Sequence, residues 1–263
     1  MTKFIHSMLP ASRYNLLPLI ADNDKVPEEH QEDLEFLQSL LKKHEISSGV
    51  SIRLIHKHFD ANEGEVMVFD TVTLPGQGSI QTMKPVLATP ELHVKGMHYF
   101  VDSNNDLQAY EYTTGEVPNI GPCEAFMQEF CSYVASRSLQ SKFGLKMANK
   151  HSTGESSWTE YEMIDKRVTI MFPGATPVPQ AECDDNFTVC TEWGQPDIDD
   201  QGPSVCNHST KCSHCTHCPS HRSNNQSSMT TGDAETGYSI GGHLALPGTP
   251  LYKVIHSAIG AAA

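Results

Sequence analysis

The chain has 263 residues, of which 38% are hydrophobic, and its formal net charge is −14 at pH 7. This length suits one large domain or two small ones, and the apolar fraction is ordinary for a globular protein with a core. The negative charge argues against a nucleic-acid partner, because the phosphates would be repelled. The sequence shows neither an apolar segment typical of a signal peptide nor a run of about 18 apolar residues, so we expect a cytoplasmic protein with no membrane partner.

The first predicted element is a helix over residues 27–44. Pro27 suits the first helical position, acidic residues follow it, and Lys42 and Lys43 lie near the end, as the helix dipole favours. Leucines recur along one side at helical spacing, at Leu34, Leu37, Leu40 and Leu41. We therefore expect an amphipathic helix that is docked on a sheet.

Residues 49–59 alternate in the manner of a strand and end in two histidines. Because side chains two residues apart share a face of a strand, His56 and His58 are placed on the apolar face with Ile52. Arg53 is placed on the opposite face. Two buried imidazoles can serve as metal ligands or as an acid–base pair. The alternative is that both are simply hydrogen-bonded to their neighbours.

Hairpins are predicted wherever two alternating segments flank a turn: 49–59 with 65–73, 97–102 with 107–113, and 158–164 with 168–172. In the second hairpin a tight turn places His98 opposite Glu111. A second helix is predicted over 122–139. The predicted fold class is α+β, with an antiparallel sheet of hairpins covered by two main helices.

The composition divides the chain into three predicted parts: a core domain over 1–172, an acidic Cys/His-rich segment over 173–237, and a C-terminal segment over 238–263. The middle part is expected to be irregular, and its Ser/Asn/Thr/Gly-rich end cannot offset the entropy of ordering. The last part regains apolar residues and is expected to dock back onto the core.

Half of the eight cysteines lie in residues 206–221, together with four histidines. Thiolate and imidazole are the donors that zinc prefers, so this run predicts a site for one or two zinc ions. The predicted ligands are Cys206, Cys212, Cys215 and Cys218, with His208, His214, His217 and His221 as substitutes. Cys183 and Cys190 could also reach the ion. The alternatives are a disordered tail that never organises its ligands and an iron–sulfur cluster, for which the fourth cysteine of the ferredoxin pattern is missing. In a reducing compartment the cysteines are expected to be thiols or ligands rather than disulfides.

The pattern His56-x-His58, four residues, then Glu63 resembles the first metal motif of cupins. The resemblance implies that these three residues bind one ion, with His93 or His98 completing the set of ligands.

A second resemblance covers residues 49–145. The strand Gly-Val-Ser-Ile-x-Leu-Ile-His-Lys-His-Phe, the strand that begins at Gly64 and the segment Gln108-Ala-Tyr-Glu-Tyr are similar to those of uncharacterised fungal proteins. That resemblance implies no particular activity, but it directs attention to His56, His58 and Glu111.

Two functions follow from these patterns. The first is an intracellular zinc-binding protein whose Cys/His run stabilises the C-terminal part or binds a protein partner. The second is a metal-dependent or acid–base enzyme that acts on a small molecule, with His56, His58 and Glu111 as catalytic residues in a sheet-lined site.

Overall fold

The structure, a computed structural model, describes residues 2–47, 49–74, 78–119, 123–147, 158–173, 188–194, 206–211, 230–233, 237–240 and 243–260. For residues 159, 188, 206–211 and 230–233 the description covers the backbone alone.

Strands β1 to β11 form one large sheet. In chain order they are β1 Phe4–Ile5, β2 Val50–Leu54, β3 Glu65–Leu74, β4 Gly78–Leu87, β5 Lys95–Val101, β6 Leu107–Thr113, β7 Phe143–Met147, β8 Trp158–Met163, β9 Val168–Pro173, β10 Thr188–Trp193 and β11 Cys206–Lys211. A separate small sheet contains β12 Thr230–Asp233, β13 Gly237–Ile240 and β14 His243–Ala245.

The large sheet curls until it closes. Its strands are hydrogen-bonded in the order β1-β6-β3-β4-β9-β8-β11-β10-β2-β7-β5, and β5 pairs in addition with β6. The strands from β6 to β5 therefore form a closed ring, with β1 added outside it along β6. A closed sheet has an interior that is separated from its outer surface, so that both faces of its strands can be buried.

The prediction of α+β structure is confirmed in its coarse form, but the expectation of a purely antiparallel sheet is wrong. Strand β6 runs parallel to both β1 and β3, and β11 runs parallel to β8. The expectation that residues 173–237 are irregular also fails for β10 and β11, which join β8 to β2 within the ring. In β10 the buried Val189, Thr191 and Trp193 alternate with less buried residues, a period of two that the surrounding acidic residues obscure.

The helices are α1 Ala11–Tyr14, α2 Val26–Glu29, α3 Gln31–Lys43, α4 Glu124–Ser136 and α5 Pro250–Gly260. The helix predicted over 27–44 is therefore interrupted at His30, whose backbone has φ −121° and ψ 32°. The His30 ring lies 2.9 Å from Oδ2 of Asp33 and 2.7 Å from Nζ of Lys142. None of the helices in the described residues has the length and apolar character needed to cross a membrane.

The two faces of the closed sheet pack against different parts of the chain. Val66 and Val68 of β3 belong to an apolar core that contains the leucines of α3 and the aromatic residues of α4. Met67 and Phe69, which alternate with them, belong to a second core with Tyr14 of α1. Because α3 and α4 pack on the face of Val66 and Val68, we take that face as the outside of the ring, so that Met67 and Phe69 face its interior together with Tyr14.

Cross-strand register extends this inner face around the ring, since paired residues lie on the same side of a sheet. The pairs that do so are Met67 with Glu111, Phe69 with Met83, Met83 with Thr169, Thr169 with Glu162, and Met171 with Glu160. The interior thus contains carboxylates beside methionines. On the outer face, α5 contributes Leu251 and Ile255 to a core with Val168 and Ile170 of β9.

Candidate active site inside the closed sheet

His56 reaches the interior because the strand before it ends early. Strand β2 stops at Leu54, and the chain then leaves the alternation of that strand. As a result His56 lies beside Arg53, whose Nη2 is 3.2 Å from the Nε2 of His56, and not on the face of Ile52 as predicted. Both side chains are fully buried. The expectation that Arg53 points away from the two histidines is therefore wrong.

Hydrogen bonding fixes the protonation of His56. Its Nδ1 lies 2.8 Å from the carbonyl oxygen of Leu54, which can only accept, so Nδ1 carries the proton. The Nε2 atom accepts from Arg53 through its lone pair. Burial, followed by the positive charges of Arg53 and His58, holds the pKa of His56 well below its usual value. The ring is neutral, as a metal ligand must be.

His58 is held between two carboxylates. Its Nδ1 is 2.6 Å from Oε1 of Glu162, and its Nε2 is 3.1 Å from Oε1 of Glu160. Burial alone would lower the pKa of His58, but the charges of Glu160 and Glu162 outweigh it and raise the pKa to about 9. The ring is therefore an imidazolium that donates from Nδ1 to Glu162 and forms an ion pair with Glu160.

Glu160 connects the two histidines. One of its oxygens faces His58, and the other is 4.0 Å from Nη2 of Arg53. Arg53 also donates from Nη1 to Oγ1 of Thr191 at 3.2 Å. Its guanidinium thus lies between His56 and Glu160.

His56, His58 and Glu160 form a group that could hold a metal ion. Each offers one ligand atom, these atoms lie within 4.8 Å of one another, and all three residues are buried. Two imidazole nitrogens and one carboxylate oxygen are a common donor set for divalent transition metals.

A second cluster surrounds Glu111. The predicted pairing of His98 with Glu111 is confirmed, and shifts of register on both sides of His98 mark bulges in β5 and β6. The Nδ1 of His98 makes a hydrogen bond with Oε2 of Glu111, and the hydroxyl of Tyr14 donates to Oε1 at 3.0 Å. β-Bulges redirect side chains and occur beside active sites more often than elsewhere.

The pKa values of Glu111 and His98 are shifted in opposite directions. Burial raises the pKa of Glu111 to about 7, although the charges of His58 and Arg53 act against it. Burial, followed by the charges of Arg53 and Lys146, holds the pKa of His98 well below its usual value. The Nε2 atom of His98 is buried and has no hydrogen-bond partner within the part of the chain that the structure describes. A neutral imidazole oriented by a carboxylate through Nδ1 is able to accept a proton at Nε2.

The structure brings together His56, His58 and Glu111, the residues predicted to be catalytic. Glu63 and His93, which the cupin resemblance implies as ligands, are exposed, whereas His98 is inside. The side chains of Cys206 and His208 are not described, and His214, His217, His221, Cys212, Cys215 and Cys218 lie outside the described residues.

Cys190 is in a disulfide, which excludes it as a thiolate ligand and departs from the expectation of reduced cysteines. Cys123 and Cys131 are free thiols.

Sequence reasoning missed Arg53, Tyr14, Glu160 and Glu162. The sequence did contain a signal for Glu160 and Glu162. Two residues apart on a predicted strand, their carboxylates share one face, by the same rule that was applied to His56 and His58.

Neither a protein-family model, nor a curated protein, nor a solved structure matches this chain. The resemblances to cupins and to fungal proteins therefore stay predictions, and the function has to be argued from the geometry of the interior.

Proposed function

We propose that this protein is a metal-dependent enzyme that acts on a small molecule inside the closed sheet. His56, His58 and Glu160 would hold the ion. The observation that carries the proposal is the convergence of these three buried side chains, whose ligand atoms lie within 4.8 Å of one another.

The number of buried charges supports a functional role for the interior. Arg53, His58, Glu111, Glu160 and Glu162 are all inside, and each costs free energy when it is removed from water. Apolar residues of similar volume often stabilise a core better than ion pairs do. Clusters of buried groups with perturbed pKa values are concentrated at active sites.

The surroundings of the two histidines suit metal ligands. The ring nitrogen opposite the ligand atom is hydrogen-bonded in each, to Leu54 in His56 and to Glu162 in His58. Such bonds orient ligating histidines and strengthen them as donors. Binding requires the Nε2 proton of His58 to leave, and Arg53 to move away from the Nε2 of His56.

The three ligands and the neighbouring pair of His98 and Glu111 define the chemistry. Zinc, iron(II) and manganese(II) all accept imidazole and carboxylate ligands, and three protein ligands leave positions for water or substrate. Such an ion polarises an oxygen atom of the substrate or lowers the pKa of bound water. His98, oriented by Glu111, would accept the proton that the substrate or water releases.

Zinc binding by the Cys/His run remains a separate prediction. Its ligands lie outside the described residues, so its support is the spacing of cysteines and histidines in the sequence. Truncation cannot separate the two sites, because β11 is hydrogen-bonded between β8 and β10, and its removal would open the ring.

Point substitutions and elemental analysis test the proposal. Full-length protein is purified, incubated with each of the three metal ions and desalted. Elemental analysis then measures the metal that stays bound per protein molecule. We expect His56→Gln and Glu160→Gln to lose the ion. His93→Gln, which changes an exposed histidine, serves as the matched control and should retain it.

A variant with serine at Cys212, Cys215 and Cys218 completes the experiment. Retention of the ion in this variant, with loss in His56→Gln, supports the interior site. Loss in the serine variant with retention in His56→Gln would move the metal to the Cys/His run and overturn the proposal.

A further inference from the structure

We infer that the position of the Tyr14 side chain inside the closed sheet is a binding site for a small phenol, which enters when α1 moves away. This inference rests on the proposed function, since it names the class of substrate for the same interior. The observation behind it is that the side chain of Tyr14 is itself a phenol and is hydrogen-bonded to Glu111, the partner of His98.

Tyr14 is the part of the N-terminal segment that reaches the polar cluster. It lies at the end of α1, a helix of only 4 residues, and its side chain is 2% exposed. Its hydroxyl donates to Glu111 at 3.0 Å, while the other oxygen of Glu111 bonds to His98. Tyr14 does not belong to the closed sheet, so it can leave without breaking the ring.

The walls around Tyr14 suit an exchangeable aromatic guest. Tyr14 belongs to a core cluster of the inner face that includes the methionines Met67, Met83, Met97 and Met171, as well as Phe69. Methionine side chains are unbranched and polarisable, so they adapt to ligands of varied shape and make favourable contacts with aromatic rings.

The segment that carries Tyr14 is held to the rest of the protein by side-chain hydrogen bonds. The side chain of Asn15 pairs with the backbone of Ala61, at 3.0 and 2.8 Å, and the ammonium of Lys57 binds the carbonyl of Asn15. Pro10 gives α1 no side-chain cap at its N-terminus, and Leu16, two residues after α1, is 83% exposed. The amide of Leu9 also donates to the hydroxyl of Tyr112 at 2.7 Å, and Leu9 and Ala11 are buried, so opening this segment breaks these contacts as well but leaves the ladders of the sheet intact.

The chemistry of Glu111 selects a hydroxyl on the guest. When Tyr14 leaves, Oε1 of Glu111 loses its donor inside a buried site, which costs more than the loss of a solvated hydrogen bond. A phenol restores this bond and places its ring in the apolar cluster that Tyr14 occupies. A hydrocarbon of the same shape leaves the carboxylate without a donor and should be rejected.

The test uses 4-methylphenol and toluene as probes on the full-length protein. Titration calorimetry measures their affinities, and hydrogen exchange measures the protection of residues 9–17. For the wild-type protein we expect saturable binding of 4-methylphenol at least about tenfold tighter than that of toluene. We also expect faster exchange in residues 9–17 when 4-methylphenol is bound.

Two variants sharpen the test. Tyr14→Phe keeps the ring but removes the competing hydroxyl, so the affinity for 4-methylphenol should rise by roughly threefold to tenfold. Glu111→Gln removes the charged acceptor and should weaken the preference for 4-methylphenol over toluene.

Absence of saturable binding to the wild-type protein, or binding that leaves the exchange of residues 9–17 unchanged, would overturn the inference. Metal content is measured on the same samples. A bound ion without phenol binding would count against this inference alone. Phenol binding without a bound ion would count against the metal site alone.

Discussion

The guanidinium of Arg53 donates to the Nε2 atom of His56 across 3.2 Å, in a region where both side chains are fully buried. This bond uses the lone pair that His56 would offer to a metal ion. The same guanidinium lies 4.0 Å from Glu160. Arg53 therefore interacts with two of the three candidate ligands and competes with an ion for them.

Replacement of Arg53 by methionine should destabilise the metal-free protein and strengthen metal binding. Removing one partner of a buried ion pair costs about 3–5 kcal/mol, because the other charge is left uncompensated. Added zinc should restore more of this loss in Arg53→Met than it adds to the wild-type protein, since the ion then neutralises Glu160. Urea unfolding with and without zinc measures both effects.

Arg167→Met is the matched control for this experiment. Arg167 pairs with Glu65 near the surface, where its side chain is 24% exposed, and such pairs contribute about 0–1 kcal/mol. Equal losses in the two variants, or no effect of zinc on Arg53→Met, would contradict a competition between Arg53 and metal.

Gly144 should tolerate no side chain. A Cβ atom at this position would lie 2.0 Å from the carbonyl oxygen of Tyr99, because β7 approaches β5 closely there. We expect Gly144→Ala to lower the free energy of unfolding by about 3 kcal/mol or more, since overpacking against backbone cannot be relieved by a rotamer change. Chemical denaturation measures the loss.

Gly260→Ala provides the comparison, because a Cβ atom there meets nothing within 4 Å. Gly260 is the last residue of α5, where alanine should be neutral or slightly stabilising. A Gly144→Ala variant as stable as Gly260→Ala would show that β5 and β7 are farther apart than described.

Local patterns predicted some of the contacts between neighbouring segments, but the hairpin of 49–59 with 65–73 is wrong, because β2 pairs with β7 and β10 and β3 pairs with β4 and β6. The leucine stripe of α3 and the pairing of His98 with Glu111 both follow from short-range periodicity. Closure of the ring does not. It depends on the pairing of β2 with β10 and of β8 with β11, segments so distant in the chain that no local pattern indicates that they pair.

The same closure explains why the site was predicted only in part. The alternation rule assigns one face of a strand to water, and so it placed Arg53 outside. In a closed sheet the second face is also buried, and polar residues on it become candidates for a site. Glu160 was overlooked because its nearness to His58 depends on this closure, and Tyr14 because it belongs to no predicted element.

Asp33 should make stability depend on pH in the acidic range. Burial alone would raise its pKa, but hydrogen bonds from His30, Tyr133 and Arg137 lower it from 3.8 to about 2. Because the folded state holds the proton less tightly than the unfolded state, the contribution of Asp33 is complete above pH 3.8. It is lost as the pH falls towards 2.

Comparison of Asp33→Asn with the wild-type protein isolates this contribution. Asparagine keeps the shape but loses the charge that binds Arg137 of the loop after α4, so the variant should melt at a lower temperature at pH 7. The difference in Tm should shrink as the pH falls from 4 to 2, because the wild-type carboxylate then becomes neutral as well. Thermal melts at several pH values measure it. A difference in Tm that stays constant over this range would mean that Asp33 contributes through packing and not through its charge.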